Sequence, residues 1–333
     1  MQAMRRNGLA LLGVMFLLLF WGTPHANAES DLAALRTAAE QGDAKALVTL
    51  GNRYANGNGV PQDNKQAVEW YRKAADQEDA EGLFRLGNRY DRGLGVPQDD
   101  KQAFTYYRKA AIQGHASAQF NLGVAYTNGE GVPQNDKQAV YWYRKAAEQG
   151  DADAQVALGT KYAKGKNVPQ DYKQAVIWYR KAAEQGNATA QFKLGVAYAK
   201  GKGGVPQDDN QAAEWYQKAA EQGDTDAQVV LGSKYAKGKG VQQDDSQAVE
   251  WYTKAAKQGD ATAQNNLGYM YENGKGVPQD GVNAYAWFSV AAAQRKDAAK
   301  NRDLAASKLT PEQLCMAITL AAELQAKIGQ HKK

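Results

Sequence analysis

The sequence predicts an all-α solenoid built from a tandem helical repeat. A Leu-Gly pair is followed three residues after the Gly by Tyr, then by a Gly-rich turn, an aromatic pair and a double Ala. The glycines of the seven Leu-Gly pairs are Gly51, Gly87, Gly123, Gly159, Gly195, Gly232 and Gly268. Their spacing is 36 residues, except for one step that Gly203-Gly204 lengthens by one residue. A fixed period of this length indicates stacked helical units, whose broad surface suits partner binding better than enclosed chemistry.

Residues 1–28 predict a secretory signal peptide that precedes the repeats. Arg5-Arg6 come before an apolar stretch from Leu9 to Trp21, and Ala26-Asn27-Ala28 supplies a small-x-small cleavage pattern. The apolar stretch is shorter than the roughly 20 residues that a membrane-spanning helix needs. We therefore expect cleavage after Ala28, no stable membrane insertion afterwards and, in a diderm bacterium, a periplasmic product.

Residues 29–42 predict an N-terminal capping helix, with Leu32, Leu35 and Ala39 on its apolar face. It has the pattern of a second helix without its first partner. Terminal units of repeat proteins are often atypical in this way, because they close an otherwise exposed end of the core.

Each repeat predicts two antiparallel helices, as the third unit illustrates. Ala118, Leu122 and Tyr126 recur at i, i+4 and i+8 and therefore share one helix face. Glycines and a Pro end this first helix, and Asn135-Asp136 caps a second one. The apolar positions of the second helix are Ala139, Trp142, Tyr143, Ala146 and Ala147. Neither helix could bury its apolar face alone.

The C-terminal end predicts capping helices followed by a tail. Thr310 and Gln313 have the spacing of a capping box, with a Pro between them at the first helical position. An apolar stripe follows at Leu314, Ala317, Ile318, Ala321, Leu324 and Ile328. Cys315 lies beside this stripe, and we expect a partly buried structural thiol rather than a thiol that links partners.

Repeated aromatic and basic residues of the second helices have structural interpretations. The six Trp after the signal peptide share one position, and we interpret them as core between helices rather than as a carbohydrate-stacking platform. The repeated Arg-Lys pairs, such as Arg180-Lys181, lie in last turns, where cations complement the helix dipole. We expect these pairs to form a solvated face.

Composition argues against several classes of function. The formal net charge of +5 falls by two once Arg5 and Arg6 are removed, and so mild a charge without a basic stripe motif predicts no nucleic-acid binding. The single Cys excludes an internal disulfide framework. The histidines are His25, His115 and His331, and we expect His115 to be solvated in a turn. No HExxH, paired CxxC or strand-linked GxGxxG motif occurs, so the sequence predicts no catalytic residue, metal site or cofactor.

The repeat resembles the Sel1-like repeat, a relative of the tetratricopeptide repeat. The fourth unit shows the pattern at Ala154, Leu158, Gly159, Tyr162, Gly165, Val168, Asp171, Ala175, Trp178, Tyr179, Ala182, Ala183 and Gly186. Departures occur at Glu78, Gly82, Asn167 and Gln242. The resemblance implies a right-handed α-solenoid of about seven 36-residue repeats over residues 43–297, with residues 298–333 as C-terminal capping helices and tail.

The positions that vary between repeats carry the information about a specific partner. The resemblance implies that the first helices line a concave surface. Their variable basic and amide residues include Arg53, Arg85, Asn88, Arg89, Arg92, Asn121, Asn128, Lys161, Lys164, Lys193, Lys200, Lys234 and Lys237. No acidic residue occurs at these positions, which predicts a protein partner with an acidic surface, against the alternative of an ordinary solvated helix face. We expect Arg85, Arg89 and Arg92 to form the densest patch and to point away from the core.

Two classes of function follow from these observations. The resemblance implies an adaptor, because members of the family include envelope regulators, secretion-associated factors and immunity proteins against type VI secretion effectors. Among these we favour an immunity protein, with a regulator or scaffold that restrains a sensor or assembles a complex as the alternative. The other class is an envelope enzyme acting on peptidoglycan or β-lactams, but the cysteine pairs of the branch linked to β-lactam hydrolysis are missing here.

Overall fold

The computed structural model describes residues 24–165 and 168–330 of the chain. Most of the predicted signal peptide, together with Asn167 and His331, lies outside these residues. All regular elements of the described part are α-helices, in agreement with the predicted all-α solenoid. The N-terminal helix α1 covers Pro24–Glu40, so it begins before the predicted cleavage position and ends two residues before the predicted boundary.

Fourteen helices form the seven repeats as antiparallel pairs. The first helices of the pairs are α2 Ala44–Asn56, α4 Ala80–Arg92, α6 Ala116–Asn128, α8 Ala152–Lys164, α10 Ala188–Lys200, α12 Thr225–Lys237 and α14 Ala261–Asn273. The second helices are α3 Asn64–Asp76, α5 Asp100–Ile112, α7 Asp136–Glu148, α9 Tyr172–Glu184, α11 Asp209–Glu221, α13 Asp245–Lys257 and α15 Gly281–Ala292. Two further helices, α16 Lys296–Ala306 and α17 Pro311–Gln330, follow the last repeat.

Local sequence explains where the helices begin and end. The Asp43 side chain accepts a hydrogen bond of 2.7 Å from the Ala46 amide and so caps α2. Gly57 ends the same helix in the left-handed conformation, with φ of 73°, which a residue with a Cβ rarely adopts. The second helices also begin with an acceptor, as Asp63 shows by accepting from the Lys65 and Gln66 amides.

The helices form two compact units, Met1–Trp142 and Tyr143–Lys333, with the boundary inside α7. In the first unit, a buried cluster that includes Leu50, Tyr71 and Leu86 extends through the stacked repeats. In the second unit, buried residues such as Leu194 and Phe288 occupy equivalent positions. Neighbouring helix pairs therefore provide most of the packing for each repeat, as the period predicts.

The glycine of each Leu-Gly pair allows close packing of the two helices in a repeat. A Cβ atom at Gly51 would lie 2.5 Å from Cε1 of Tyr71, a side chain that is fully buried. The Tyr71 hydroxyl donates a hydrogen bond of 2.7 Å to Oδ1 of Asn52. Gly87 and Gly159 face the rings of Tyr107 and Tyr179 in the same way. The second residue of the aromatic pair is therefore the one against which the first helix packs.

The tryptophans are less buried than the sequence predicts. Trp251 and Trp287 are buried, whereas the other four, all within the described residues, are half-buried. A Lys three residues later covers the ring in several repeats, as Lys181 does at 4.4 Å from the ring centre of Trp178. The interpretation as core between helices therefore holds for the two buried Trp, and Trp70, Trp142 and Trp215 pack against the core as partly buried side chains. The Trp occupies the edge of the core, because the following Tyr fills its centre.

The Arg-Lys pairs are almost all exposed, as expected, but some of them also contact the next repeat. The Arg144 guanidinium donates a hydrogen bond of 2.7 Å to the hydroxyl of Tyr162 in the next repeat, and Arg180 donates to Tyr198 at 3.1 Å. In two of the pairs the Lys also lies over a Trp ring, Lys73 over Trp70 and Lys181 over Trp178. The sequence predicted the helix-terminal position of these residues but not their contacts between repeats.

Both ends carry a capping helix, although two details of the C-terminal prediction are wrong. Thr310 and Gln313 form the predicted capping box, with reciprocal hydrogen bonds of 3.0 and 3.3 Å. Ala317 and Ile328 are buried on the inner face of α17, but Ile318 is 53% exposed and Cys315 is exposed. The helical period carries both of these residues away from the core-facing stripe, so Cys315 is not a buried structural thiol.

Candidate partner-binding surface

In the first unit, Arg85 is held by an acidic neighbour on its own helix. Its Nε donates to Oε1 of Glu81 at 2.6 Å. The other Glu81 oxygen lies 2.9 Å from Nε2 of His115. The hydrogen bond from His115, helped by the charge of Arg85 and opposed by burial, lowers the pKa of Glu81 to about 2.

His115 has a structural role that its position in a turn did not reveal. Its Nδ1 accepts a hydrogen bond of 3.2 Å from the Ala118 amide and so caps α6. Its ring stacks on Phe84 at a centroid distance of 4.4 Å. The expectation of a solvated side chain is therefore wrong. In other repeats Asp or Asn supplies this cap, which is a sequence signal for the role of His115.

Arg89 also contacts the preceding repeat rather than pointing freely outwards. Its Nη1 donates to Oδ1 of Asn64 at 3.2 Å, and its guanidinium lies 5.4 Å from the ring centre of Tyr71. Arg92, in contrast, is exposed at the end of α4. The expectation that these side chains point away from the core is therefore wrong for Arg89. Arg85 pairs with Glu81 of its own helix, and Arg92 is the most exposed member of the patch.

The remaining predicted residues of the first unit are divided between structural and exposed positions. Asn88 accepts from the Tyr107 hydroxyl at 2.7 Å, and the Nδ2 of Asn121 lies 3.5 Å from the same Asn88 oxygen. Asn128 is exposed and donates to Glu130 at 2.9 Å. Arg53 is half-buried on α2.

Acidic residues lie next to the predicted basic and amide residues in the first unit. Asp91, Asp100 and Glu130 line a small cleft of about 70 Å³ together with Tyr107 and Asn121. Burial raises the pKa of Asp91, and the nearby charge of Glu130 acts in the same direction. The absence of acidic residues at the variable positions therefore does not make this surface uniformly basic, because neighbouring positions and second helices contribute carboxylates.

In the second unit, Lys234 belongs to the fold. It is 7% exposed, and its ammonium donates to Oδ1 of Asp209 at 2.8 Å and to the Lys239 carbonyl at 3.2 Å. The hydrogen bond from Lys234 also lowers the pKa of Asp209. Lys234 is therefore committed to an ion pair with the preceding second helix, in the register that Arg89 occupies in the second repeat.

The other predicted lysines of this unit are more accessible. Lys164, Lys200 and Lys237 are exposed at the ends of three first helices, while Lys161 and Lys193 are half-buried. Lys193 lies 5.9 Å from the ring centre of Tyr179. The exposed lysines share one register within the repeat and present their charges on one surface of this unit.

Two adjacent clefts occur on the first-helix surface of the second unit. The larger, of about 420 Å³, is lined by α10, α11, α12 and α14 and includes Ser233, Lys239 and Asn266. The smaller, of about 210 Å³, is lined by α12, α13 and α14 and includes Tyr269 and Lys275. Lys237 and Asn266 line both clefts, which therefore form one groove.

Residues 24–165 and 168–330 contain neither a metal-binding cluster nor a membrane-spanning helix. Within them, no group of three or more His, Cys, Asp or Glu side chains has a geometry that could hold a metal ion. None of the helices there combines the length and the apolar character that a membrane span requires.

The repeats match a known family over most of the chain. The Sel1 repeat is matched by residues 44–79, 80–115, 116–151, 152–187, 188–224, 225–260 and 261–295. The chain belongs to the Sel1 repeat family. These boundaries agree with the seven helix pairs of the structure, and proteins of this family typically mediate protein–protein interactions as non-catalytic scaffolds.

Two solved structures support this assignment, and a third, more distant one is also similar to this chain. A Sel1 repeat protein from Oxalobacter formigenes is 36% identical, with a TM-score of 0.65, over 84% of this chain and 80% of its own. A protective antigen present in uropathogenic Escherichia coli strains is also 36% identical, with a TM-score of 0.58, over 91% of this chain and 73% of its own. An immunity protein from Pseudomonas aeruginosa is 21% identical, with a TM-score of 0.41, over 64% of this chain and 81% of its own. No protein with a curated description gave a significant match.

Proposed function

We propose that this Sel1 repeat protein is a non-catalytic binding module that holds an acidic protein partner on the surface of its first helices. The observation that carries the proposal is the set of exposed cations in one register, Lys164, Lys200 and Lys237 in the second unit and Arg92 in the first. None of these four side chains is needed by the repeat contacts described above. Surface charges that the fold does not use are suited to steering and orienting a partner of opposite charge.

The structure leaves fewer cations available to a partner than the sequence predicts. The carboxylates of Glu81 and Asp209 compensate the charges of Arg85 and Lys234. Arg89 is held by a hydrogen bond to Asn64 and is only partly exposed. The acidic cleft at Asp91 and Asp100 further reduces the positive charge of the first unit. The exposed lysines of the second unit are therefore the main partner-binding residues in this proposal.

We further propose that the protein acts in the periplasm after removal of residues 1–28, as an immunity protein that neutralises a type VI secretion effector. The support for export is the basic, apolar and small-x-small order of the N-terminal sequence. The support for an inhibitory role is the surface itself, because a broad charged face can cover the active region of another protein without any chemistry of its own.

Binding to the native partner tests the general proposal. Tagged protein is used to capture interacting proteins from the envelope fraction of the native host, and the captured protein is then purified for kinetic measurements. Association should slow with added salt, because exposed charges are screened beyond about 8 Å at physiological ionic strength. Joint reversal of Lys164, Lys200 and Lys237 to Glu should slow association about tenfold or more, with helical content unchanged.

A charge reversal on a second helix provides the control, and two results would contradict the proposal. Lys109→Glu on the second helix α5 carries one of the same charge changes on a different surface and should leave association unchanged. Wild-type kinetics for the triple variant at low salt would contradict the proposed surface. For the immunity role, deleting the gene should make the host sensitive to an effector that the purified protein binds, and unchanged survival would refute it.

A further inference from the structure

The seventh repeat carries an exposed tyrosine that the repeat architecture does not use. Tyr269 is 51% exposed on α14, and it is the one large hydrophobic residue with such exposure on any of the described first helices. Other exposed large hydrophobic residues of the described chain, such as Ile177 and Met316, lie on second helices, their flanks or the terminal helices. Core packing therefore does not account for the exposed part of this side chain.

The residue that contacts this position from the second helix differs in the seventh repeat, and this difference leaves the Tyr269 side chain unused. In the first, second and fourth repeats the residue after the Leu-Gly glycine accepts a hydrogen bond from the buried tyrosine of the second helix, as Asn52 does from Tyr71 and Thr160 from Tyr179. The third and fifth repeats have Val124 and Val196 at this position instead. In the seventh repeat the buried aromatic is Phe288, which has no hydroxyl and is fully buried. No acceptor is needed at residue 269, so its side chain is available for another contact.

The surroundings of Tyr269 form a groove with both apolar and basic lining. We define the α12–α14 groove as the two adjacent clefts that share Lys237 and Asn266. Its apolar lining comes from Val229, Val230, Met270 and the Tyr269 ring. Its charged lining consists of Lys234, Lys237, Lys239, Lys275, Asp209 and Asp245.

The charge balance of the groove favours an acidic ligand. Asp209 is compensated by Lys234 at 2.8 Å, with Lys239 at 3.8 Å from its other oxygen. Lys237, Lys239 and Lys275 then face a single further carboxylate, that of Asp245. Lys275 lies 5.8 Å from the Tyr269 ring centre, which places a cation directly beside the exposed aromatic. A ligand that fits must combine a carboxylate with an apolar group.

We propose that the α12–α14 groove binds an extended segment of a partner protein in which an acidic side chain lies close to an apolar one. The Tyr269 ring packs against the apolar side chain, and Lys237, Lys239 and Lys275 pair with the carboxylate. The Asn266 side chain, placed between the two clefts, offers amide hydrogen bonds to the backbone of the segment. The inference rests on the proposed protein-binding function and gives it a site and a recognition chemistry.

Peptide selection on the intact protein provides the test. A library of random short peptides displayed on phage is the probe, and the enriched peptides are synthesised and measured by fluorescence anisotropy. We expect enriched sequences with Asp or Glu within a few residues of an aliphatic or aromatic residue. Tyr269→Ser, which restores the residue type of Ser233 in the sixth repeat, should weaken binding about tenfold or more, as loss of an aromatic anchor does.

Charge variants distinguish the groove from general electrostatic attraction. Lys237→Glu should weaken the same peptides about tenfold or more. Lys109→Glu makes the same change of charge on the second helix α5, where Lys109 is exposed, and should leave their affinity unchanged. Circular dichroism shows whether each variant is folded. If Tyr269→Ser does not fold, the comparison of Lys237→Glu with Lys109→Glu decides the proposal.

Several outcomes would overturn the inference. Enriched peptides without acidic residues, or equal losses of affinity in Lys237→Glu and Lys109→Glu, would show that the groove does not select an acidic segment. Conversion of a dimer into a monomer by Tyr269→Ser would make a second copy of this chain the occupant. A third outcome is that the native partner binds Tyr269→Ser and Lys237→Glu as well as wild type but fails to bind the triple lysine reversal. That result would refute the groove and leave the proposed function intact. No binding of any envelope protein by the wild type would instead refute the proposed function.

Discussion

Replacing Gly51 by Ala should destabilise the protein, although helix propensity alone predicts the opposite. Gly51 lies inside α2 with an ordinary helical backbone, where Ala is favoured over Gly by about 1 kcal/mol. The structure places the new Cβ 2.5 Å from Cε1, 2.7 Å from Cδ1 and 3.1 Å from Cζ of Tyr71. Because that ring is fully buried, it cannot move aside into solvent.

The magnitude follows from three contributions of similar size. Overpacking a dense core costs about 1–3 kcal/mol. Displacing the Tyr71 ring also disturbs its 2.7 Å hydrogen bond to Asn52, a loss of about 1 kcal/mol. The gain in helix propensity offsets about 1 kcal/mol of this. We therefore expect Gly51→Ala to lower the free energy of unfolding by about 2 kcal/mol.

Urea unfolding followed by circular dichroism measures this change. Gly329→Ala is the matched control, because Gly329 lies in α17 and a Cβ there would meet no atom within 4 Å. The control should be neutral or slightly stabilising, by at most about 1 kcal/mol. In a Tyr71→Leu background, which removes the ring, Gly51→Ala should no longer be destabilising. A Gly51→Ala protein as stable as the wild type would refute the argument that the Leu-Gly glycine is selected by close packing.

Three further predictions concern charges and processing. Because the pKa of Glu81 falls from 4.5 to about 2 on folding, its ionised form stabilises the protein above pH 4.5, and this contribution is lost as the pH drops through about 2. Glu81→Gln should therefore be less stable than wild type at neutral pH, by under about 1 kcal/mol for so exposed a group, and the difference in urea midpoint should disappear in acid. Asp209→Asn should lower the free energy of unfolding by about 1–3 kcal/mol, because it leaves the Lys234 ammonium buried without its counter-ion, and Lys234→Met should cost less in the same assay. The intact mass of the exported protein should correspond to a chain that begins at Glu29, and a mass that includes Met1 would contradict cleavage after Ala28.

Much of the candidate surface could be located from the sequence, but the availability of its charges could not. The register of Lys164, Lys200 and Lys237 at first-helix ends follows directly from the repeat. The role of Tyr269 also has a sequence signal, because Phe288 replaces the tyrosine that other repeats use at that position. Reading this signal required knowing that the hydroxyl of that tyrosine bonds the residue after the glycine, which is a contact between two helices.

The sequence by itself determined the number of repeats, the two-helix organisation of each repeat and most of its capping residues, because period, turn chemistry and caps act over a few neighbouring residues. Only the tertiary structure decided which residues the fold uses and which remain for a partner. Arg89 bonds Asn64 and Lys234 bonds Asp209, in each case a residue 25 positions away in the preceding second helix. Such pairs depend on how one repeat stacks on the next, and no local pattern distinguishes a cation committed to that contact from one that is exposed to solvent.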